Sequence, residues 1–279
     1  MMQDSATPTE IAVPDSNDTV IDLQEFGSRT VWWLSCRAEQ VQASGFLRGQ
    51  TTLPLEGYRS GRTDHPVYRD ERGTLLMWKK CLRGGWLSHL VKDRYWKPDR
   101  FIEEMKLCHQ IQEKGVSTSR ILAVAATDAA IGYRIDMLVE LETEVRTLLE
   151  LLEDSALSAN QRQKILDSSA DTIYQFHEQG WLHGDLNLMN ILLKQTSSTD
   201  YRTVLVDLDP GGLSPTANRL GNLTRLVRSY RKSRSLKTPP LLPGEGFRFL
   251  YRATGGNRQL LASLLRNSRK ILSQEEWRR

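Results

Sequence analysis

His183-Gly184-Asp185-Leu186-Asn187-Leu188-Met189-Asn190 is the stretch from which the fold and chemistry of this 279-residue chain are read. An aspartate two residues after a histidine, and an amide five residues after that aspartate, make a short polar loop inside an apolar run. Trp181-Leu182 lead into it and Ile191-Leu192-Leu193 lead out. Further on, Thr203-Val204-Leu205-Val206-Asp207-Leu208-Asp209 reads as an apolar strand ending in acids. A carboxylate held in such a loop can take the proton of a hydroxyl. An amide oxygen and a second carboxylate are the hard donors that Mg²⁺ accepts beside waters and phosphate oxygens. The candidate roles are therefore proton acceptor for Asp185 and metal ligands for Asn190 and Asp207, with His183 bracing the loop.

Upstream, residues 74–82 read as a strand bounded by Gly73 and Gly84-Gly85, and residues 99–114 as a helix begun at Asp99 and stopped at Gly115. Residues 120–126 and 132–141 read as two more strands. Residues 30–37 suit a strand or the start of a short helix, and the charged, glycine-rich stretch 57–73 suits turns around one short strand. Helices are expected over 145–153 and 160–179, and most of the chain beyond the acidic strand reads as helical. Strands with one helix, then helices around an acidic loop, define an α+β chain of two lobes. Residues 1–28 read as a disordered, polar leader.

The H-x-D-x-x-x-x-N spacing resembles the catalytic loop of kinases. That resemblance asks for a strand lysine to reach the phosphates of ATP and a helix glutamate to orient it. Lys79 is favoured over Lys80 because it shares a strand face with Leu75 and Met77, and Glu104 is favoured over Glu103. A hinge at Val139–Thr143, with Val139 and Leu141 bound to adenine, completes the nucleotide site. Further stretches are similar to the bacterial lipopolysaccharide core kinases that act on Kdo or heptose. They are Lys79-Lys80-Cys81-Leu82-Arg83-Gly84-Gly85, Arg94-Tyr95, Glu104 with Gly115, the His183–Asn190 loop, the Asp207-Leu208-Asp209 strand end, and Asn222-Leu223-Thr224-Arg225-Leu226-Val227-Arg228-Ser229. The resemblance covers residues 57–235. It implies a two-lobed protein-kinase-like fold, with an N-lobe over 29–141 and a C-lobe over 142–279. It also implies ATP and Mg²⁺ as cofactors and transfer of a phosphoryl group to a sugar hydroxyl of the lipopolysaccharide inner core. The chain departs from the pattern in having no G-x-G-x-x-G loop and, after the helix, Gly115-Val116-Ser117-Thr118-Ser119-Arg120 where the family often has V-P-x-P.

Composition is consistent with this reading. Hydrophobic residues make up 39% and charged residues 26%, which excludes a disordered chain. No apolar run is long enough for a membrane span, the N-terminus has no secretory pattern, and three cysteines give no disulfide framework. A cytoplasmic protein is expected. Charge is unevenly spread: from Pro210 onward 15 Lys and Arg face 3 Asp and Glu. That basic end suits an anionic, lipid-linked core oligosaccharide and peripheral contact with the inner-leaflet membrane surface. Arg225 and Arg228 are also open to a second reading, as braces of the Asp209 loop. No nucleic-acid-binding motif is present, so no nucleic-acid partner is expected. Two rivals stay open: a kinase with another acceptor, and a nucleotide-binding pseudokinase.

Overall fold

A computed structural model describes residues 19–60, 63–82, 93–234 and 241–273. The leader up to residue 18, Gly61-Arg62, the Arg83-Gly84-Gly85 turn and the stretches 235–240 and 274–279 lie outside the described residues. Seven strands form an antiparallel sheet in the order β1-β2-β6-β7-β5-β4-β3. They are β1 (Ile21–Phe26), β2 (Arg29–Leu34), β3 (Leu55–Ser60), β4 (Asp64–Arg69), β5 (Leu75–Lys80), β6 (Arg120–Asp128) and β7 (Tyr133–Glu140). Near its centre, Ile121 to Ala126 of β6 are buried at every position. An unbroken apolar run is what a strand covered on both faces requires.

Each face has its own cover. Helix α1 (Ala38–Ala43) and the turn at Phe46 close one face over Val31, Leu76 and Trp78, with the Phe46 and Trp78 rings 4.8 Å apart. Helix α2 (Asp99–Glu113) packs Met105, Cys108 and Ile111 onto the other face. Fully burying a side chain such as Met105 contributes roughly 1.5–3 kcal/mol. α2 ends at Gly115, whose φ of 81° suits glycine.

The remaining chain is mostly helical. It comprises β8 (Val145–Thr147), α3 (Leu148–Glu153), α4 (Ala159–Glu178), β9 (Ile191–Gln195), β10 (Tyr201–Leu205), α5 (Arg219–Arg234), α6 (Pro243–Ala253) and α7 (Arg258–Ser273). β10, β9 and β8 pair in a small antiparallel sheet. α4 is the central helix, burying Ile165, Leu166, Ile173 and Phe176. Ser158 and Gln161 cap it reciprocally. The loop after α2 ties the two parts together: Leu205 donates its N–H to Ser117 O at 3.0 Å, and Thr118 Oγ1 donates to Leu205 O at 2.7 Å.

Three expectations are corrected. Residues 21–26 are not leader but strand β1, joined to β2 by the two-residue turn Gly27-Ser28, with Gly27 at φ 62°. The strand is largely exposed, so its order comes from backbone pairing and leaves no hydrophobic pattern to read. The 57–73 region carries two strands, β3 and β4, rather than one. Residues 145–147 are strand, because Thr147 caps α3 through its pairing with Glu150 and the helix starts only after it.

Candidate active site

The loop between α4 and β9 is held almost wholly through its backbone. His183 is fully buried; its Nε2–H donates to Val206 O at 3.0 Å and its Nδ1 accepts the Asp185 N–H at 3.0 Å. The histidine therefore braces the loop, as its position in the sequence suggested. Gly184 N–H donates to Leu208 O at 2.7 Å, and a Cβ on Gly184 would stand 2.1 Å from Asp209 O. Only glycine lets the two segments approach so closely. Asn187 Oδ1 accepts the N–H groups of Met189 and Asn190, and Asn190 Nδ2 donates to Asp185 O at 2.9 Å. That bond commits the amide nitrogen of Asn190 and leaves its Oδ1 as the atom suited to a cation. Asp207 and Asp209 both have positive φ, 54° and 47°. Such strain in non-glycine residues needs the surrounding contacts to hold it.

Helix α5 is the splint behind this loop. Asn222, Arg225 and Ser229 lie at helical spacing on one face. Asn222 accepts the His183 N–H on Oδ1 at 3.1 Å and donates Nδ2 to His183 O at 2.8 Å. Arg225 donates to Gly184 O at 3.1 Å and pairs with Asp185 at 2.9 Å, and Ser229 Oγ accepts the Leu188 N–H at 3.2 Å. Arg225 therefore braces Gly184 and Asp185, not the Asp209 loop. The brace on Asp209 comes from Arg100 of α2, 2.7 Å away and unforeseen in the sequence. Gly211 and Gly212 leave room for that pair, since side chains there would press on Arg100 and on the Asp209 carboxylate.

Between the seven-stranded sheet and this loop lies a cavity of about 460 Å³, lined among others by Lys79, Glu104, Asp185, Asn190 and Asp207. Lys79 Nζ meets Asp207 Oδ1 at 2.9 Å. Burial alone would lower the Lys79 pKa, but the Asp207 and Glu104 carboxylates outweigh it and hold the ammonium above the usual lysine range. Glu104 is buried, and burial pushes its carboxyl up to about 7 against the opposing pull of Lys79. Cys81 and Cys108 are buried thiols; burial raises both, Cys81 to about 12, so neither is a ready nucleophile.

Val139 and Leu141 do not line the cavity, whose apolar wall comes from residues such as Met77 and Met137. Leu141 spends its N–H on Leu75 O at 2.8 Å, continuing the β5–β7 ladder by one residue. Among the described residues no group of three or more His, Cys, Asp or Glu is placed to hold a metal ion. A lone carboxylate and an amide oxygen beside a polar cleft suit Mg²⁺, which takes oxygen donors and shares its shell with phosphate.

The buried histidines set a pH dependence of stability. His177 donates Nε2–H to Asn222 Oδ1 at 3.1 Å, and its Nδ1 has no partner among the described residues. Burial lowers His177 and His183 to about 4 each. Below the unfolded value of 6.5 the unfolded chain takes up protons that the folded one refuses. Each histidine therefore costs about 1.4 kcal/mol per pH unit on acidification toward 4. Glu104 works the other way: its folded pKa is raised, so its contribution is lost as pH rises from 4.5 to about 7. Two protons outweigh one. Urea midpoints should rise with pH between about 4.5 and 6.5; a flat or falling profile would contradict the assignment.

Known proteins resemble this chain. The lipopolysaccharide kinase (Kdo/WaaP) family model matches residues 56–239. A 3-deoxy-D-manno-octulosonic acid kinase of Vibrio vulnificus is 33% identical over 159 residues, covering 54% of this chain and 63% of the relative. That match falls short of two thirds of the relative's length. The kinase of the same name from Vibrio parahaemolyticus is 30% identical over 189 residues, 66% of this chain and 75% of its own. A solved structure described as WaaP in complex with acyl carrier protein has the same fold, with a TM-score of 0.51 at 17% identity, over 78% of this chain and 89% of that one.

Proposed function

This chain belongs to the lipopolysaccharide kinase (Kdo/WaaP) family, and from that premise we propose that it transfers the γ-phosphoryl group of ATP to a sugar hydroxyl of the lipopolysaccharide inner core, on Kdo or heptose. The observation that carries the reading is the convergence of Lys79, Asp185, Asn190 and Asp207 on one cleft from three separate stretches of chain. The lobes meet there, an N-lobe ending near residue 141 and a C-lobe beginning near 142.

In this reading Asp185 accepts the hydroxyl proton as the sugar oxygen bonds to the γ-phosphorus and the bond to the ADP oxygen breaks. Arg225 keeps the Asp185 carboxylate aimed, and Lys79 meets the nucleotide phosphates. Asn190 Oδ1 and Asp207 would hold Mg²⁺, which when bound neutralises charge on the phosphate oxygens. Met77 and Met137 offer the base an apolar wall. The basic region from Pro210 gives an anionic, lipid-linked acceptor and the inner leaflet a complementary charge. Contact with the cytoplasmic face would be peripheral, through that basic region; no helix among the described residues is long and apolar enough to cross a membrane.

The test is incorporation of labelled phosphate from Mg-ATP into Kdo–lipid A or core oligosaccharide by the purified protein. Label in the sugar is the expected result. ATP binding with no transfer to either acceptor would overturn the acceptor assignment.

A further inference from the structure

The sheet face above the cleft carries two groups that these roles leave unused. In the β3–β4 hairpin Arg59 pairs with His65. β4 and β5 are registered with Val67 opposite Met77; continued by two residues, that register sets His65 opposite Lys79. Lys79 in turn pairs with Met137 of β7. Residues opposite one another on antiparallel strands project from the same face. Arg59, His65 and Lys79 thus form one row across three adjacent strands, about 10 Å from end to end. All three line the cavity that holds Asp185, Asn190 and Asp207.

The chemistry of the row suits a polyanion. His65 is buried, and its Nδ1 accepts the Lys80 N–H at 3.2 Å. A neutral ring so engaged carries its proton on Nε2, as a donor. Burial and the nearby Lys79 hold the ring below its ordinary pKa and so favour that neutral form. Arg59 adds a permanent positive charge with a fork of donors. Lys79 already faces the Asp207 carboxylate at 2.9 Å. One lysine shared with an acid leaves most of a triphosphate's charge unmet, and the chain has no G-x-G-x-x-G loop to meet it through backbone amides.

We propose that Arg59 and His65, together with Lys79, form a side-chain cradle for the nucleotide phosphates. The proposal rests on the ATP-dependent reading above and adds to it the groups that hold the polyphosphate.

The experiment is calorimetric binding of ATP, ADP, AMP and adenosine to the full-length protein and to Arg59→Ala, Arg59→Lys, His65→Leu and His65→Gln. Circular dichroism verifies that each variant is folded. Arg59→Ala and His65→Leu should each weaken ATP about tenfold, ADP nearly as much, and adenosine less than about twofold. Arg59→Lys and His65→Gln, which keep a donor, should recover much of the loss. Arg59 is exposed, so its replacement leaves the core intact even if His65 variants unfold. Equal weakening of ATP and adenosine, or unchanged ATP affinity in Arg59→Ala, would overturn the cradle and leave ATP binding standing. Failure of the wild-type protein to bind ATP would overturn both readings.

Discussion

Replacing Asp185 with alanine lowers phosphotransfer by about 10²–10⁴-fold, the range expected for a positioned proton acceptor, while ATP affinity and the unfolding midpoint change little. The three outcomes separate because the loop does not depend on the Asp185 side chain. Its backbone N–H is held by His183 Nδ1 and its carbonyl by the side-chain amides of Asn187 and Asn190. The one ion pair lost is with Arg225, and both partners are about half exposed, 53% and 49%. A solvated pair of that kind contributes about 1 kcal/mol or less. Arg225 also keeps its bond to Gly184 O. Asp185→Asn should be nearly as slow as alanine, since it keeps the shape and removes the proton acceptor. Single-turnover transfer from prebound ATP gives the rate, and an unchanged rate in either variant would remove Asp185 from the chemistry.

What the sequence disclosed about this site follows from how local each signal is. The H-x-D-x-x-x-x-N loop is legible because its bonds close within eight residues: His183 to Asp185, Asn187 to Asn190, Asn190 back to Asp185. Lys79 is legible from strand alternation, and Glu104 from the family resemblance carried by its spacing to Gly115. The contacts that aim these groups come from far along the chain and leave no spacing to read. Arg100 reaches Asp209, and Asn222 reaches His183 and His177. The Asn222–Ser229 run stood out in the sequence as a family resemblance, and the structure supplies its physical content as one helix face clasping the loop. His65 escaped notice because a histidine next to a proline in a charged stretch looks like a turn. Only the register of three strands brings it beside Lys79. Leu141 lies outside the cavity lining, its N–H bonded to Leu75 O where the β5–β7 ladder runs one residue past β7.

Asp207→Asn should preserve shape and still slow transfer roughly a thousandfold, the scale of losing one preorganised electrostatic partner of the transferring group. The substitution removes the only carboxylate among the proposed metal ligands, and with it the partner that Lys79 holds at 2.9 Å. These two losses act on ATP in opposite senses. Metal-assisted binding weakens, because an amide pair holds Mg²⁺ poorly without a formal charge. Binding without metal is preserved or improved, because Lys79 is released to the phosphates and no carboxylate at residue 207 repels them. Glu104 responds as well: Asp207 contributes to holding its carboxyl high, so neutralising residue 207 lets Glu104 ionise more readily and take up Lys79. The decisive quantity is therefore the ratio of ATP affinities measured with Mg²⁺ and with a chelator. In the wild-type protein it should exceed one by a wide margin, and in Asp207→Asn it should fall close to one. A ratio that survives the substitution would show that the metal is held elsewhere and that Asp207 serves only to neutralise Lys79.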